Sequence, residues 1–282
     1  MQGTINLGTM RPELAGRMHD YYTGVTTAGN TNESIVDTTS LTDGDDYFAQ
    51  SWLRITGGLG AGTANTGLVK RIRSQKQISQ MCKVWGTFTA CCSASTSYEI
   101  YRRIHPDKYT DAMNEASRMC YPALYRYIED ESLTVLSNTW TYTVPSLIRH
   151  VTQVFYETNT SQPTYPYTEI EGCEVEENGK LRLGALPPIG RKLRVKGMSP
   201  LTDNLDSDAE FIQIDREQLE PFYWACEQYL WDYLLKTAPA ADTERYSRLR
   251  GWAFLQYKDS LNKKAMQPPL QKVQCSHLES WR

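Results

Sequence analysis

Between Ser34 and Tyr101 the chain alternates apolar and polar positions with a period near two. "SIVDTT", "YFAQSWLRIT", "LVKRIRSQ", "MCKVWGTFTA" and "SYEIYRRI" are rich in β-branched and aromatic residues, with "TDGDD" and other Gly, Asp and Ser residues as turns between them. Five short strands of this kind predict a small antiparallel barrel or sandwich. Ahead of them, "TMRPELAGRMHDYY" (9–22) predicts a short helix. Thr9 is its expected N-cap, and Leu14, Met18 and Tyr21 or Tyr22 its apolar side. "TGVTTAGNTNES" reads as a loop.

The period changes at His105. Pro106 and Asp107 suit a first helical turn, Tyr109, Met113, Ala116 and Cys120 recur at helical spacing, and Pro122 ends or kinks the run. Residues 131–198 return to strand, punctuated by Pro163, Pro166, Pro187, Pro188 and Gly190. The last third is helical. Asp215 and Gln218 fit a capping box, and Leu219, Phe222, Tyr223, Cys226, Leu230, Tyr233 and Leu234 form an apolar stripe behind them. After "TAPAAD", with Asp242 as the next expected N-cap, Tyr246, Leu249, Ala253, Tyr257 and Leu261 define a second helix. The expected class is α+β: small antiparallel β barrel or sandwich regions with a helical part that includes a C-terminal αα-hairpin. The segments are 1–33, 34–104, 105–130, 131–211, 212–265 and an extended tail, 266–282.

Composition narrows the function classes. The 282 residues carry 30 basic and 33 acidic side chains, a net charge of −3, so no basic excess points to tight nucleic-acid binding. No apolar run reaches the roughly 18 residues of a membrane helix, and no secretory leader is expected in "MQGTINLGTMRPEL". Cys82, Cys91, Cys92, Cys120, Cys173, Cys226 and Cys275 contain no C-x-x-C pair and read as reduced, mostly buried thiols. Eighteen tyrosines against six phenylalanines favour half-buried and interface positions.

Catalytic patterns are scarce. His19, His105, His150 and His277 show no zinc-binding spacing, no G-x-S-x-G elbow occurs, and nothing favours a Cys–His pair. Asp206, Asp208, Glu210 and Glu217 are spaced like a calcium loop, but Phe211 stands where the sharp turn needs glycine; a solvated acidic loop is the expectation, with cation binding left open. "VKRIRSQK" splits its charge between two strand faces, and "NTWTYTV" is an aromatic strand that could serve sugars or a core. "GGLGAGTANTG" (57–67) follows a strand, as phosphate loops do, yet closes neither G-x-G-x-x-G nor G-x-x-x-x-G-K-[ST]: Thr63 and Ala64 replace the lysine and hydroxyl. "LVKRIRS" after it reads as strand, so the loop is expected to be a hairpin tip.

The stretch "DDYFAQSWLRITGG…EIYRRIHPDKYTDAMNEASRMCYPALY", with "IDREQLEPFYWACEQYLWDYLL" after it, resembles the neck or head–tail connector (adaptor) proteins of tailed bacteriophages, over about residues 5–265. The resemblance is one of texture and order. It implies a non-enzymatic virion structural protein, made in the host cytoplasm, that joins the portal to the tail. Its implied partners are copies of itself in a ring of about twelve, the portal protein, a tail or other neck protein, and genomic DNA passing through without sequence-specific binding; no membrane, metal or cofactor is implied. The β content exceeds that of small all-helical adaptors and leaves the neck layer open. Gly60 and Gly62 at the hairpin tip, and Leu270, Val273, Leu278 and Trp281 in the tail, are the expected partner-binding residues. The tail either docks on an adjacent ring, the portal first, or folds back onto its own helices. Two alternatives stay open: another virion layer such as a tail-completion or capsid-attached protein, and a hydrolase or carbohydrate-binding module built from distant residues.

Overall fold

Strand β1 (Thr4–Asn6) leads into helix α1 (Leu7–Arg17). The structure is a computed structural model that describes residues 3–27, 30–58, 64–158, 167–237, 239–263 and 274–275. The cap of α1 is Asn6, whose side chain accepts the Thr9 N–H at 2.8 Å, so the helix starts before Thr9. It also stops early. His19 adopts a left-handed backbone (φ 52°), and buried Asp20 accepts N–H bonds from Arg103 and Ile104 and the Tyr109 hydroxyl. Tyr21 and Tyr22 thereby fall in a strand, β2 (Tyr21–Val25), not on the helix.

The first β region continues with β3 (Ser34–Val36), β4 (Trp52–Gly57), β5 (Val69–Lys76), β6 (Met81–Val84) and β7 (Ser97–Tyr101). Together they form one antiparallel sheet, ordered β2-β7-β4-β5-β6-β3, which curls into a half-barrel. Register shifts at Ile55/Gly57 and Ile72/Ser74 supply local bends. Leu53, Ile55, Ile72, Tyr98 and Ile100 line the concave core with Phe48 and Phe88. The other face of β4 and β7 presents Trp52, Arg54, Glu99 and Tyr101, and Trp52 and Tyr101 pack into the helical core. Both faces of these two strands are therefore covered, which is why "SWLRIT" and "YEIY" read as nearly continuous apolar runs. Gly24 on β2 fits only as glycine: an added Cβ would lie 2.4 Å from both Asp37 Oδ2 and the Tyr98 hydroxyl.

Helix α2 (Pro106–Met119) begins where the sequence places it, capped by His105 with Pro106 in its first turn. The second β region is a two-layer sandwich. One sheet is β11 (Tyr167–Glu169), β10 (His150–Glu157), β14 (Lys192–Ser199) and β8 (Arg126–Thr134); the other is β16 (Gln274–Cys275), β12 (Glu174–Val175), β13 (Lys180–Arg182) and β9 (Thr141–Thr143). Val151, Val154, Leu193 and Val195 of the first sheet share a core with Tyr142 and Leu181 of the second.

Helices α3 (Arg216–Thr237) and α4 (Thr243–Lys263) form the expected αα-hairpin. The capping box between Asp215 and Gln218 does not form. The Asp215 carboxylate accepts the Gly3 N–H at 3.2 Å, and the Gln218 N–H goes to the Asp215 carbonyl. Asp242 ends a single 3-10 turn, Ala240–Asp242, before α4. The four helices share one core with Leu201, Leu205, Ile212 and Ile214, so the helical body joins segments from both ends of the chain with residues 101–124 between them. Strand β15 (Phe211–Gln213) pairs with β1 and closes this body.

Candidate interaction site

The helical body and the half-barrel meet at a buried polar junction. Arg11 of α1 donates through Nη2 to Asp208 Oδ1 at 2.8 Å and to Thr110 of α2 at 3.4 Å. Arg54 of β4 donates through Nη2 to Asp208 Oδ2 and through Nη1 to Glu99 of β7 at 3.3 Å. Tyr101 and Tyr21 add hydroxyl donors to Glu99 at 2.8 and 3.2 Å. Two guanidiniums and two carboxylates thus balance where a lone buried charge would be costly. Burial works to raise the Asp208 pKa, but the bonds from Arg54 and Arg11 outweigh it and hold the carboxyl below its usual range. Arg11 Nε and Nη1 remain buried without a protein partner.

The 206–210 loop is organised around this junction. Its Asp208 and Glu210 carbonyls accept the N–H groups of Gly8 and Leu7, unsatisfied donors of the first turn of α1. Glu210 Oε2 accepts the N–H groups of Asp206 and Ser207. The loop is solvated at Asp206, Ser207 and Ala209, as expected, but Asp208 is a partner of two arginines. A cation at Asp208 would face both guanidiniums, and no group of three or more His, Cys, Asp or Glu that could hold a metal occurs among the described residues.

Two larger clefts are present, the first of them opening on the junction. One, of about 610 Å³, has Arg11 and Arg54 in its lining and Asp107, Asp111 and Asp206 beside them. The other, of about 550 Å³, is lined by Arg17, Arg102, Arg103 and Arg245 with Trp224, Trp231 and Trp252, and Glu227 is its one carboxylate. Arg17 is held by Glu220 and Glu227 and lies 4.6 Å from the Trp224 ring centre; Arg102 lies over Tyr47 at 4.4 Å. A smaller apolar groove of about 320 Å³ runs between α2, α3 and α4 beside Met119 and Phe254.

The residues singled out from sequence fall as follows. Antiparallel pairing of Trp52 with Arg71 and Leu53 with Lys70 makes the glycine-rich segment the connection of a β4–β5 hairpin, as expected, with no helix behind it. Gly60 and Gly62 lie outside the described residues, as do Leu270, Val273, Leu278 and Trp281. Within the tail, Gln274–Cys275 run parallel to β12, so this point lies on the chain's own sandwich rather than on its helices. His105 Nδ1 accepts the Asp107 N–H and caps α2; His150 stacks on Tyr121; His19 lines the arginine-rich cleft; His277 is outside the described residues. Cys82, Cys92, Cys120, Cys173 and Cys226 are buried free thiols, and Cys91 is exposed. Burial pushes the Cys82 thiol up to about 12 and the Cys120 thiol up to about 11. Arg71 and Arg73 lie 5.4 and 5.2 Å from the Trp52 and Trp85 ring centres, so the basic hairpin stacks its charges on tryptophans. In "NTWTYTV", Trp140 is exposed but Tyr142 is buried, leaving one open ring.

Sequence reasoning missed the stripe on α4. Arg245, Arg248, Trp252 and Leu255 share one exposed face, with Trp252 56 % and Leu255 60 % accessible. A tryptophan interrupting the polar side of an otherwise amphipathic helix was the available signal. Leu136 (57 % accessible) and Ile189 (68 %) are likewise exposed at one end of the sandwich, where Val135 and Gly190 exchange a backbone bond. Among the described residues no helix is long and apolar enough to cross a membrane. No protein-family model and no curated protein matches the chain.

Proposed function

We propose that the chain is a structural subunit of a tailed-phage neck, a head–tail adaptor that forms a ring between the portal and the tail. The observation that carries this reading is the exposure of large apolar side chains on different modules, among them Trp252 and Leu255 on α4 and Leu136 and Ile189 on the sandwich. Exposed apolar patches mark contact surfaces. Two unlike patches on one chain suit head-to-tail contacts, which close into a ring or run on as a filament. The junction of Arg11, Arg54, Asp208 and Glu99 favours the same role, since it braces the helical body against the half-barrel.

On this reading the helical body packs around the ring, the two β modules reach the neighbouring layers, and the portal and a tail or neck protein are the partners. A net charge of −3 suits a passage through which DNA slides without being held. The polar residues then act in folding and contact, not in catalysis. Mass spectrometry of purified tailed particles tests the reading: the chain is expected in several copies per particle, co-purifying with the portal after tail removal. Particles complete in portal and tail proteins but lacking the chain would refute it.

A further inference from the structure

The geometry points to the contact between copies: the α4 stripe of one copy seats in the cleft over the buried arginines of the next. This inference rests on the ring-forming reading and gives it an interface. Of the α4 arginines, Arg250 is committed to Asp232 at 3.3 Å. Arg245 and Arg248 are exposed and pair with no carboxylate among the described residues. Trp252 and Leu255 continue the same face, so Arg245 to Leu255 spans roughly 15 Å at 1.5 Å per residue. Arginine beside tryptophan is the side-chain chemistry most often found at the energetic centre of an interface.

The receiving cleft is complementary. Asp107 and Asp206 stand in its lining without a lysine or arginine partner among the described residues; Asp107 meets only the His105 ring, at 3.4 Å. Glu210, beside Asp206 in the same loop, adds negative charge. Behind these carboxylates Arg11 and Arg54 lie buried and held by Asp208, so they fix the floor of the cleft. Two exposed arginines without a carboxylate partner on α4 match two carboxylates without a lysine or arginine partner at the cleft, among the described residues. The volume, about 610 Å³, lies in the range of pockets that enclose a large side chain and its neighbours. Because stripe and cleft are different surfaces of one chain, the contact can repeat head-to-tail from copy to copy.

Charge reversal tests this with the full chain, read by sedimentation velocity across a concentration series at low and high salt. Arg245→Glu with Arg248→Glu, and separately Asp107→Lys with Asp206→Lys, are each expected to weaken self-association at least tenfold. An equimolar mixture of the two variants is expected to associate like the unaltered protein, because each then supplies the other's complement. That rescue also shows both variants to be folded. The inference is overturned if the unaltered chain stays monomeric to about 1 mM (roughly −4 kcal/mol), if either variant associates normally, or if the mixture does not recover. Binding of a single-stranded oligonucleotide that Arg245→Glu with Arg248→Glu abolishes, with association unchanged, would assign the stripe to nucleic acid instead. A ring seen in particles whose subunits tolerate both reversals would leave the neck reading standing and remove this interface.

Discussion

Arg11 and Asp208 meet at 2.8 Å although 197 residues separate them in the chain. Asp208 joins the first helix to the last third of the sequence, and through Arg54 it also joins the half-barrel. The Arg11 and Arg54 side chains keep 5 % and 10 % of their surface, Asp208 40 %.

Removing that carboxylate leaves two buried guanidiniums with Glu99 and Thr110 as their side-chain partners among the described residues. Asp208→Ala is expected to destabilise the fold by about 3 kcal/mol, the lower end of the range for breaking a buried pair, since Asp208 is partly solvated. Asp208→Asn should cost less because it keeps an acceptor. Urea denaturation measures both, and a loss below about 1 kcal/mol for Asp208→Ala would contradict the bracing role.

Asp37 gives a pH signature. It is fully buried, and burial alone would raise its pKa, but bonds from Thr39, Tyr98 and Ser40 outweigh this and bring it down to about 2. A carboxyl depressed in the folded state stabilises above its unfolded value and loses that contribution as pH falls. The half-barrel is therefore expected to lose about 2 kcal/mol between roughly pH 4 and pH 2 through this group. Asp37→Asn, weaker at neutral pH, should remove that part of the acid sensitivity; an unchanged stability profile from pH 5 to 2 in the variant would count against it.

Gly24 faces the same cluster. Gly24→Ala puts a methyl group 2.4 Å from Asp37 Oδ2 and the Tyr98 hydroxyl, both fixed by their mutual bond. Overpacking of this kind is expected to lower stability by about 1–3 kcal/mol. Thermal denaturation reads it, and a midpoint equal to that of the unaltered protein would show that the cluster can yield.

Much of this architecture was legible in the sequence, and the reasons are local. α2 is announced by His105, Pro106 and Asp107, and its buried Tyr109, Met113 and Ala116 fall at helical spacing. The hairpin after Leu53 follows from alternation on β5. What was not legible depends on distant partners. Asn6 and Thr9 both suit a cap by type, Asn the better; pairing of β1 with β15, some 200 residues on, places Asn6 at the helix start. Asp215 has the spacing of a capping box, yet the Gly3 N–H takes its carboxylate. The acidic loop looks like a solvated turn until Arg11 and Arg54 arrive from other modules. The α4 stripe was missed because Trp252 and Leu255 lie off the apolar side of Tyr246, Leu249, Ala253, Tyr257 and Leu261, and their exposure shows only once the helix is docked.

The glycine-rich hairpin is expected to bind no nucleotide. It lacks the P-loop lysine, and β5 rather than a helix N-terminus follows it. Equilibrium dialysis with ATP, GTP and NAD should detect no micromolar binding; saturable binding abolished by Gly60→Val with Gly62→Val would reverse this conclusion.

The central claim is that copies of this chain form a closed ring in the neck of a tailed particle. Cryo-electron microscopy of the intact neck, reconstructed without imposed symmetry, tests it most directly. The account predicts a ring of repeated copies between portal and tail, with the α4 face of each against the cleft of the next. A neck in which the chain is absent, or present as a single copy, would contradict it.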